Sequence, residues 1–338
     1  MSTPISRRRL LFGAGAVATS ALLAACADEP PPPPAAPAAT TGGPWSYDDG
    51  FGAVTAPQRP QRIVAYVGSA AALWDLGIKP VGVFGPQRRE DGSKDPQAGN
   101  VDIDAVTSVG NAWDDFDVEK FLALQPDLLV SGRYGAGKTD LWAIDDPIRA
   151  KIEQVAPIVG VNEYKVALPT VIGTYGSLAA SLGADLAAPA AVSAKADFDA
   201  ASAALKTAAE GKSGLKVLVA YADKDNIYVA KPDFFGDLMY FRSLGLDIVS
   251  GGGDEEYWEM LSWEQAGKYP ADLIITDSRS HALTHQQMAA FPTWARLPAV
   301  KAGQIGTWPG ESRYSNQLSA TIVKDLTALV EKARTDIV

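Results

Sequence analysis

The feature that most constrains the fold is an alanine-rich segment from Ala184 to Gly214. Pro189 can begin a helix at its first position, where the missing N–H costs nothing, and Gly211 can end it. Apolar residues recur at helical spacing in between, at Ala194, Phe198, Ala201, Leu205 and Ala208. The pattern predicts an amphipathic helix of about 22 residues, which at about 1.5 Å per residue spans about 33 Å. A helix of that length can join two lobes.

Similar sequence patterns lie on the two sides of this helix. Glu119 comes eight positions before the run Asp-Leu-Leu-Val at 127–130, and Glu264 comes eight positions before Asp-Leu-Ile-Ile at 272–275. Each pattern is typical of a helix, a proline break and a buried strand. The repetition predicts two lobes of similar build.

Short apolar runs alternate with helical patterns in both halves of the chain. Residues 63–67 and 215–221 are almost uninterrupted apolar runs, typical of strands buried on both faces of a parallel sheet. The alternation predicts the α/β class, with two lobes of mostly parallel sheet joined by the single long α-helix. The predicted boundaries are 49–186 for the N-terminal lobe, 187–212 for the connecting helix and 213–338 for the C-terminal lobe.

The first 25 residues are typical of an export signal. Three arginines, Arg7–Arg9, precede an apolar stretch from Leu10 to Ala25 that ends in small residues. The stretch is too short and too rich in glycine and alanine for a good membrane-spanning helix. Residues 6–11 also resemble a twin-arginine signal, which predicts export of the folded protein by the twin-arginine route.

Cys26 is the only cysteine of the chain, so no internal disulfide can form. Residues 23–26, Leu-Ala-Ala-Cys, resemble a bacterial lipobox, in which the cysteine is lipidated and becomes the first residue of the mature protein. The alternative is an inert apolar cysteine. Residues 26–48 would follow as a lipidated cysteine and proline-rich tether. We therefore predict a protein anchored by lipid at the extracytoplasmic face of the cell membrane.

The ends of the predicted strands supply the candidates for ligand binding. Ligands of open α/β sheets lie beyond the carboxyl ends of the strands, and with two lobes the natural site is the cleft between them. The candidates are Tyr66, Trp113, Arg133, Tyr134, Tyr221, Arg279, Trp308, Arg313 and Tyr314. The three arginines would form a positive patch suited to an anionic ligand, although a solvated surface residue is the simpler interpretation of each one alone.

Signs of catalysis are few, and an enzyme is not predicted. The chain has no Gly-x-Ser-x-Gly motif and only two histidines, His281 and His285. Four apart on a predicted helix, they could hold a metal, but two ligands make a weak site and a surface pair is the simpler interpretation. Removal of residues 1–25, with three arginines and no acid, would change the net charge from −10 to −13. Nucleic acid is therefore not an expected partner.

Several segments resemble the substrate-binding proteins of ABC importers for iron–siderophore complexes, haem and cobalamin. They are Pro60–Val64, Val109–Gly110, Ala123–Leu128 and Leu297–Gln304, and the likeness extends over about residues 50–335. The resemblance implies two lobes joined by one long helix, as the alanine-rich segment indicates independently.

The same resemblance implies a role for two glutamates. In similar proteins one glutamate in each lobe docks onto arginines of the membrane permease, and Glu119 and Glu264 match those positions. The sequence alone would make both of them helix-start residues favoured by the helix dipole.

The resemblance also implies a monomeric receptor that captures a ferric siderophore between its lobes and delivers it to an ABC permease, with no resident cofactor. A receptor for haem or cobalamin is the nearest alternative. Outside this class of receptor, a surface-anchored hydrolase stays open, and a receptor for zinc or manganese is a further alternative.

Overall fold

A short antiparallel hairpin opens the described part of the chain. The computed structural model describes residues 43–310 and 313–338, all within one compact unit. The predicted signal, Cys26 and most of the tether lie outside these residues. The hairpin pairs β1 (Trp45–Asp48) with β2 (Ala53–Ala56), and the sequence patterns did not predict it.

A five-stranded parallel sheet forms the N-terminal lobe. Its strands are β3 (Ile63–Tyr66), β4 (Gly82–Phe84), β5 (Thr107–Ser108), β6 (Leu128–Arg133) and β7 (Ile158–Asn162). They lie in the order β5-β4-β3-β6-β7, and every pair is parallel. All residues of β3, β4 and β6 are buried, as expected of a parallel sheet covered on both faces.

Four helices accompany this sheet. They are α1 (Val67–Asp75), α2 (Val118–Ala123), α3 (Asp146–Ile152) and α4 (Leu168–Ser181). Asp117 caps α2 by accepting a hydrogen bond from the backbone N–H of Lys120 at 3.0 Å. Ser69 lies buried inside α1, where its Oγ is hydrogen-bonded to Tyr175 Oη at 2.8 Å.

The long helix predicted from the alanine-rich segment is confirmed. It is α5 (Pro189–Gly211), whose 23 residues span about 35 Å at about 1.5 Å per residue. Phe198 and Leu205 are buried on its inner face, and the helix packs along the last helix of the chain. Within the described ranges, no helix is both long enough and apolar enough to cross a membrane.

A six-stranded mixed sheet forms the C-terminal lobe. Its strands are β8 (Lys216–Ala222), β9 (Asn226–Ala230), β10 (Asp247–Val249), β11 (Trp258–Ser262), β12 (Leu273–Asp277) and β13 (Ile305–Trp308). The order is β11-β9-β8-β12-β13, and β10 also pairs with β8. β8, β10, β12 and β13 are parallel, whereas β9 and β11 are antiparallel to their neighbours.

Five further helices accompany the C-terminal sheet, and the last of them is the longest. They are α6 (Gly236–Ser243), α7 (His285–Met288), α8 (Pro292–Arg296), α9 (Pro298–Lys301) and α10 (Asn316–Lys332). The sequence pattern predicts a helix around Glu264, but the structure has a single 3-10 turn there, Trp263–Gln265. Gly267 and Pro270 follow within a few residues and disfavour a longer helix.

Candidate functional site: the cleft between the two sheets

The loops at the carboxyl ends of the two sheets meet, and hydrogen bonds join them on one side through the β4–β5 loop. Arg89 Nη2 donates to the carbonyl oxygen of Ser278 at 2.7 Å. The backbone N–H of Ser280 donates to Asp95 Oδ2 at 2.9 Å. Ser278 and Ser280 directly follow β12, so this contact connects the ends of β4 and β12.

A second group of hydrogen bonds joins the lobes beyond β6 and β7. Tyr257 Oη donates to the carbonyl oxygen of Tyr134, and Tyr164 Oη donates to Glu256 Oε1 at 2.6 Å. In the first sheet, β3 lies between β4 and β6. The carboxyl ends of β3 and β6 therefore lie between the first group of contacts and the second.

Aromatic side chains form the N-terminal wall of this cleft. The ring centroids of Trp142 lie 5.4 Å from Trp113 and 4.9 Å from Tyr134. Tyr66 packs behind them, 5.9 Å from Trp113, and its hydroxyl donates to Gln97 Oε1 at 3.0 Å. Tyr134 is 40% exposed, whereas Tyr66 is buried. Tyr66 therefore forms the floor, and Trp113, Tyr134 and Trp142 supply the surface.

A second aromatic cluster forms the C-terminal wall. Tyr221 stacks on Tyr228 with ring centroids 4.1 Å apart. Its ring also makes edge-on contacts with Trp258 and His281, at centroid distances of 4.7 and 5.3 Å. Burial raises the pKa of the Tyr221 phenol above its ordinary value, and the neighbouring Tyr228 adds to the effect. Tyr221 is therefore a protonated phenol at neutral pH, able to contact a ligand through its ring or its hydroxyl.

Arg133 lies apart from these walls. Its guanidinium is 2% exposed and forms a salt bridge with Asp49, from the loop of the β1–β2 hairpin. It also donates to the carbonyl oxygen of Gly160 and, through Nε, to that of Lys138 at 3.2 Å. A buried guanidinium requires such partners because an unpaired buried charge is costly. The structure therefore uses Arg133 to attach the hairpin to the sheet.

The other two predicted arginines are also engaged with protein groups. Arg279 is buried, and its Nε and Nη2 lie 2.8 and 2.7 Å from Asp277 Oδ2. Arg313 Nη1 donates to the carbonyl oxygen of Pro96 at 2.5 Å, and burial lowers the pKa of Arg313. Arg133 and Arg279 are thus each paired with a buried carboxylate, and Arg313 donates to a backbone carbonyl oxygen.

Trp308 and Tyr314 are core residues in the structure. Trp308 is buried, and its Nε1 donates to Asp237 Oδ2 at 2.6 Å. Tyr314 is buried and stacks on Tyr175 with ring centroids 5.7 Å apart. Trp308 is the last residue of β13 and Tyr314 comes six positions later, and both rings pack inward.

The two histidines do not share one helix face. His281 precedes α7 and lies beside the C-terminal wall, with Nε2 3.6 Å from Asp277 Oδ2. His285 begins α7, and its Nε2 is hydrogen-bonded to Thr276 Oγ1 at 2.7 Å. Burial lowers the pKa of both imidazoles, so both are neutral at pH 7. In the part of the chain that the structure describes, no group of three His, Cys, Asp or Glu side chains could hold a metal.

Among the cavities outside the aromatic walls, two are the most spacious. One of about 450 Å³ is lined mainly by α4, α5 and the start of α10, with Ile172, Val192 and Phe198 on its surface. The other, of about 530 Å³, lies between β13 and α10. Neither of these two cavities is lined by Trp113, Trp142, Tyr221 or Trp258.

The two glutamates singled out by the sequence are exposed, one in each lobe. Glu119 lies in the first turn of α2. Glu264 lies in the 3-10 turn after β11, where a hydrogen bond with the Ser262 side chain lowers its pKa. Both carboxylates can therefore reach a partner.

Three aromatic residues that pack against the predicted ones were not predicted from the strand ends. Trp142 lies in the loop after β6, nine positions beyond the end of that strand, and its indole contacts both Trp113 and Tyr134. Trp258 begins β11, a strand that the sequence patterns did not predict. Tyr228 lies in β9 directly opposite Tyr221. The pairing of β8 with β9 places Tyr228 opposite Tyr221, so a prediction of this strand register would have identified Tyr228.

Comparisons with known proteins place the chain in a family. A scan against protein families matches residues 63–312 to the family described as Periplasmic binding protein. DesE, described as a ferric-siderophore receptor protein from Streptomyces coelicolor, is 36% identical in sequence. The alignment covers 86% of this chain and 99% of DesE, with a TM-score of 0.82. No match was found among curated protein sequences.

More distant solved structures share the fold. SirA of Staphylococcus aureus, solved in complex with staphyloferrin B, is 18% identical over 86% of this chain and 99% of its own, with a TM-score of 0.60. FhuD2 of Staphylococcus aureus, solved with bound ferrioxamine B, is 20% identical over 80% of this chain and 98% of its own, with a TM-score of 0.55. At these identities the likeness concerns the fold alone.

Proposed function

The chain belongs to the periplasmic binding protein family, and from that premise we propose that it is an extracytoplasmic receptor for a ferric siderophore. The observation that carries the proposal is the likeness to DesE, a ferric-siderophore receptor, over 86% of this chain at 36% identity. The receptor would deliver its ligand to an ABC permease and would carry out no bond-making step of its own.

We infer that the siderophore lies between the two aromatic walls. A siderophore already occupies the coordination sphere of its iron, so the protein has to recognise the outer surface of the chelate rather than the metal. Trp113, Tyr134 and Trp142 on one side, with Tyr221 and Trp258 on the other, offer flat amphipathic faces for such a surface. Arg133, Trp308 and Tyr314 are left out of the proposed contacts because their side chains are buried among protein groups.

Arg279 and Tyr66 would act from behind these walls. Arg279 lies near the cleft because it follows β12, and its guanidinium forms a salt bridge with Asp277. Tyr66 supports Trp113 and Trp142 from the floor. Arg313 would contribute only at the edge, where it already binds the carbonyl oxygen of Pro96.

Ligand capture would involve small movements of the lobes. The stiff helix α5 runs from the first sheet to the second and packs along α10. A single helical connection favours small hinge movements over wide closure. The hydrogen bonds at Ser278 and at Tyr257 would then adjust when a ligand enters.

We propose that Glu119 and Glu264 dock the loaded receptor onto arginines of the permease. Their exposure and their placement in separate lobes support this role. Charge pairs at the rim of an interface mainly guide orientation and association rate. Two such contacts, one in each lobe, would make docking sensitive to the relative position of the lobes.

The location that fits this function is the outer face of the cell membrane. Residues 1–25 would direct export by the twin-arginine route, and lipidated Cys26 would anchor the monomeric body through the proline-rich tether. These residues lie outside the described part of the chain, and the proposal rests on their sequence.

Quenching of tryptophan fluorescence tests the ligand class. The purified full chain would be titrated in detergent with ferrioxamine B, a ferric catecholate, ferric citrate, haemin and cobalamin. We expect saturable quenching by one ferric siderophore with a Kd of about 1 µM or below. Saturation by haemin or cobalamin alone would support the rival receptor. Absence of saturable quenching by any of these five ligands would overturn the proposal.

Iron uptake by cells tests the docking role. Glu119→Ala and Glu264→Ala should each lower uptake of the ferric siderophore while the Kd of the purified receptor stays unchanged. Glu153→Ala, which removes an exposed carboxylate paired with Arg149, is the matched control. Normal uptake by both docking variants would refute the role.

A further inference from the structure

We propose that Glu163, a buried carboxylate behind the N-terminal wall, is a positioning residue that sets the orientation of Trp142 in the cleft; the inference rests on the proposed function. Trp142 Nε1 donates to Glu163 Oε2 at 3.0 Å, and Tyr175 Oη donates to Glu163 Oε1 at 2.7 Å. Glu163 is only 8% exposed. Each carboxylate oxygen thus has its own donor, and one of those donors belongs to the ligand surface.

The backbone leaves space for this carboxylate at one glycine. A Cβ on Gly132 would collide with the carboxylate of Glu163, which lies directly against β6. The backbone N–H of Trp142 donates to the carbonyl oxygen of the same Gly132 at 3.1 Å. Trp142 is therefore attached at two points, by its main chain to Gly132 and by its indole to Glu163.

Further contacts hold the carboxylate in place. Tyr175 lies in α4, and its hydroxyl is also hydrogen-bonded to Ser69 Oγ in α1 at 2.8 Å. Its ring stacks on Tyr314, at 5.7 Å between centroids. Glu163 is consequently tied to two helices rather than to a loop.

The consequence for binding is preorganisation of the wall. A charge-assisted hydrogen bond to a buried carboxylate is stronger than a neutral one and restricts the rotation of the indole. Trp142 contacts Tyr66, Trp113 and Tyr134, so its orientation sets the shape of the whole surface. Side chains that are ordered before binding lose less entropy when the ligand arrives.

A double-mutant cycle on ligand affinity tests the inference. Glu163→Ala leaves the indole N–H without its acceptor and should raise the Kd for ferrioxamine B, or whichever ferric siderophore saturates the wild type, about tenfold. In a Trp142→Phe background, which has no indole N–H, the same change should raise the Kd less than about twofold. An equal fold-increase in Kd in the two backgrounds would overturn the inference, because Glu163 would then act independently of Trp142.

Conservative and steric variants separate positioning from general loss of structure. Glu163→Gln should restore most of the affinity, since an amide oxygen can still accept from Trp142 while the Tyr175 hydroxyl turns. Gly132→Ala, which displaces the carboxylate without removing it, should weaken binding like Glu163→Ala. Glu153→Ala is the control for loss of a carboxylate elsewhere in the lobe and should leave the Kd unchanged.

Hydrogen exchange of the Trp142 indole N–H gives a readout without ligand. The signal is assigned by its loss in Trp142→Phe, and it should exchange faster in Glu163→Ala than in the wild type. Unchanged protection would overturn the inference even if Glu163→Ala destabilises the chain. Failure of the wild type to bind any ferric siderophore would overturn the proposed function and this role with it, whereas unchanged binding by Glu163→Ala would overturn the role alone.

Discussion

Removal of the Asp49 carboxylate should destabilise the protein without weakening ligand binding. Asp49 and Arg133 form a salt bridge whose side chains are 3% and 2% exposed, and Asp49 also accepts from the backbone N–H of Gly160 at 3.2 Å. Asp49→Ala leaves the guanidinium buried without its counter-charge, which costs about 3–5 kcal/mol when one partner of a buried pair is removed. At about 2.1 cal/mol/K per residue over roughly 300 residues, the unfolding entropy is about 0.6 kcal/mol/K, so the Tm should fall by about 5–8 °C.

Thermal unfolding, with a siderophore titration of the same sample, measures both effects. Glu153→Ala removes the partner of Arg149 from a solvent-exposed pair at 3.0 Å and should cost about 0.2–1 kcal/mol, a Tm change below about 2 °C. A Tm of Asp49→Ala equal to that of this control would refute the assignment of Arg133 to fold stability. If Asp49→Ala lost ligand affinity at an unchanged Tm, Arg133 would instead have to be assigned to ligand binding.

Three further changes probe the cleft, the core and the pH response. Tyr221→Ala removes the central ring of the C-terminal wall and should raise the siderophore Kd at least tenfold, or about 1.4 kcal/mol; an unchanged Kd would exclude this wall as a contact. Trp308→Phe loses the hydrogen bond to buried Asp237 and should lower the free energy of unfolding in urea by about 1–3 kcal/mol, whereas wild-type stability would show that the bond contributes nothing net. Burial opposes ionisation of Glu259, but hydrogen bonds, first from Lys268, lower its pKa to about 2. Because the folded-state pKa is depressed, this stabilisation is present above the unfolded value near 4.5 and is lost as the pH falls to about 2. The Tm difference between wild type and Glu259→Gln should therefore shrink over that range, and a constant difference would contradict the assignment.

Local patterns predicted much of the architecture because they report on local structure. The helical spacing from Ala194 to Ala208 predicted α5, and the uninterrupted apolar runs predicted the buried strands β3 and β8. The antiparallel strand β11 was not predicted because its residues alternate only weakly between buried and exposed positions. The β1–β2 hairpin was not predicted because it is short and largely exposed.

Periodicity and chain order were enough to predict the fold class, the long connecting helix and the kind of residue at the strand ends. Which of those side chains are buried among protein groups depends on tertiary contacts. Arg133 and Trp308 are the last residues of β6 and β13, yet the distant carboxylates of Asp49 and Asp237 hold their side chains in the interior. Trp142 enters the wall because a hydrogen bond to Glu163 directs it there. Such pairings join residues far apart in the chain, and their energies depend on burial, which no local pattern records.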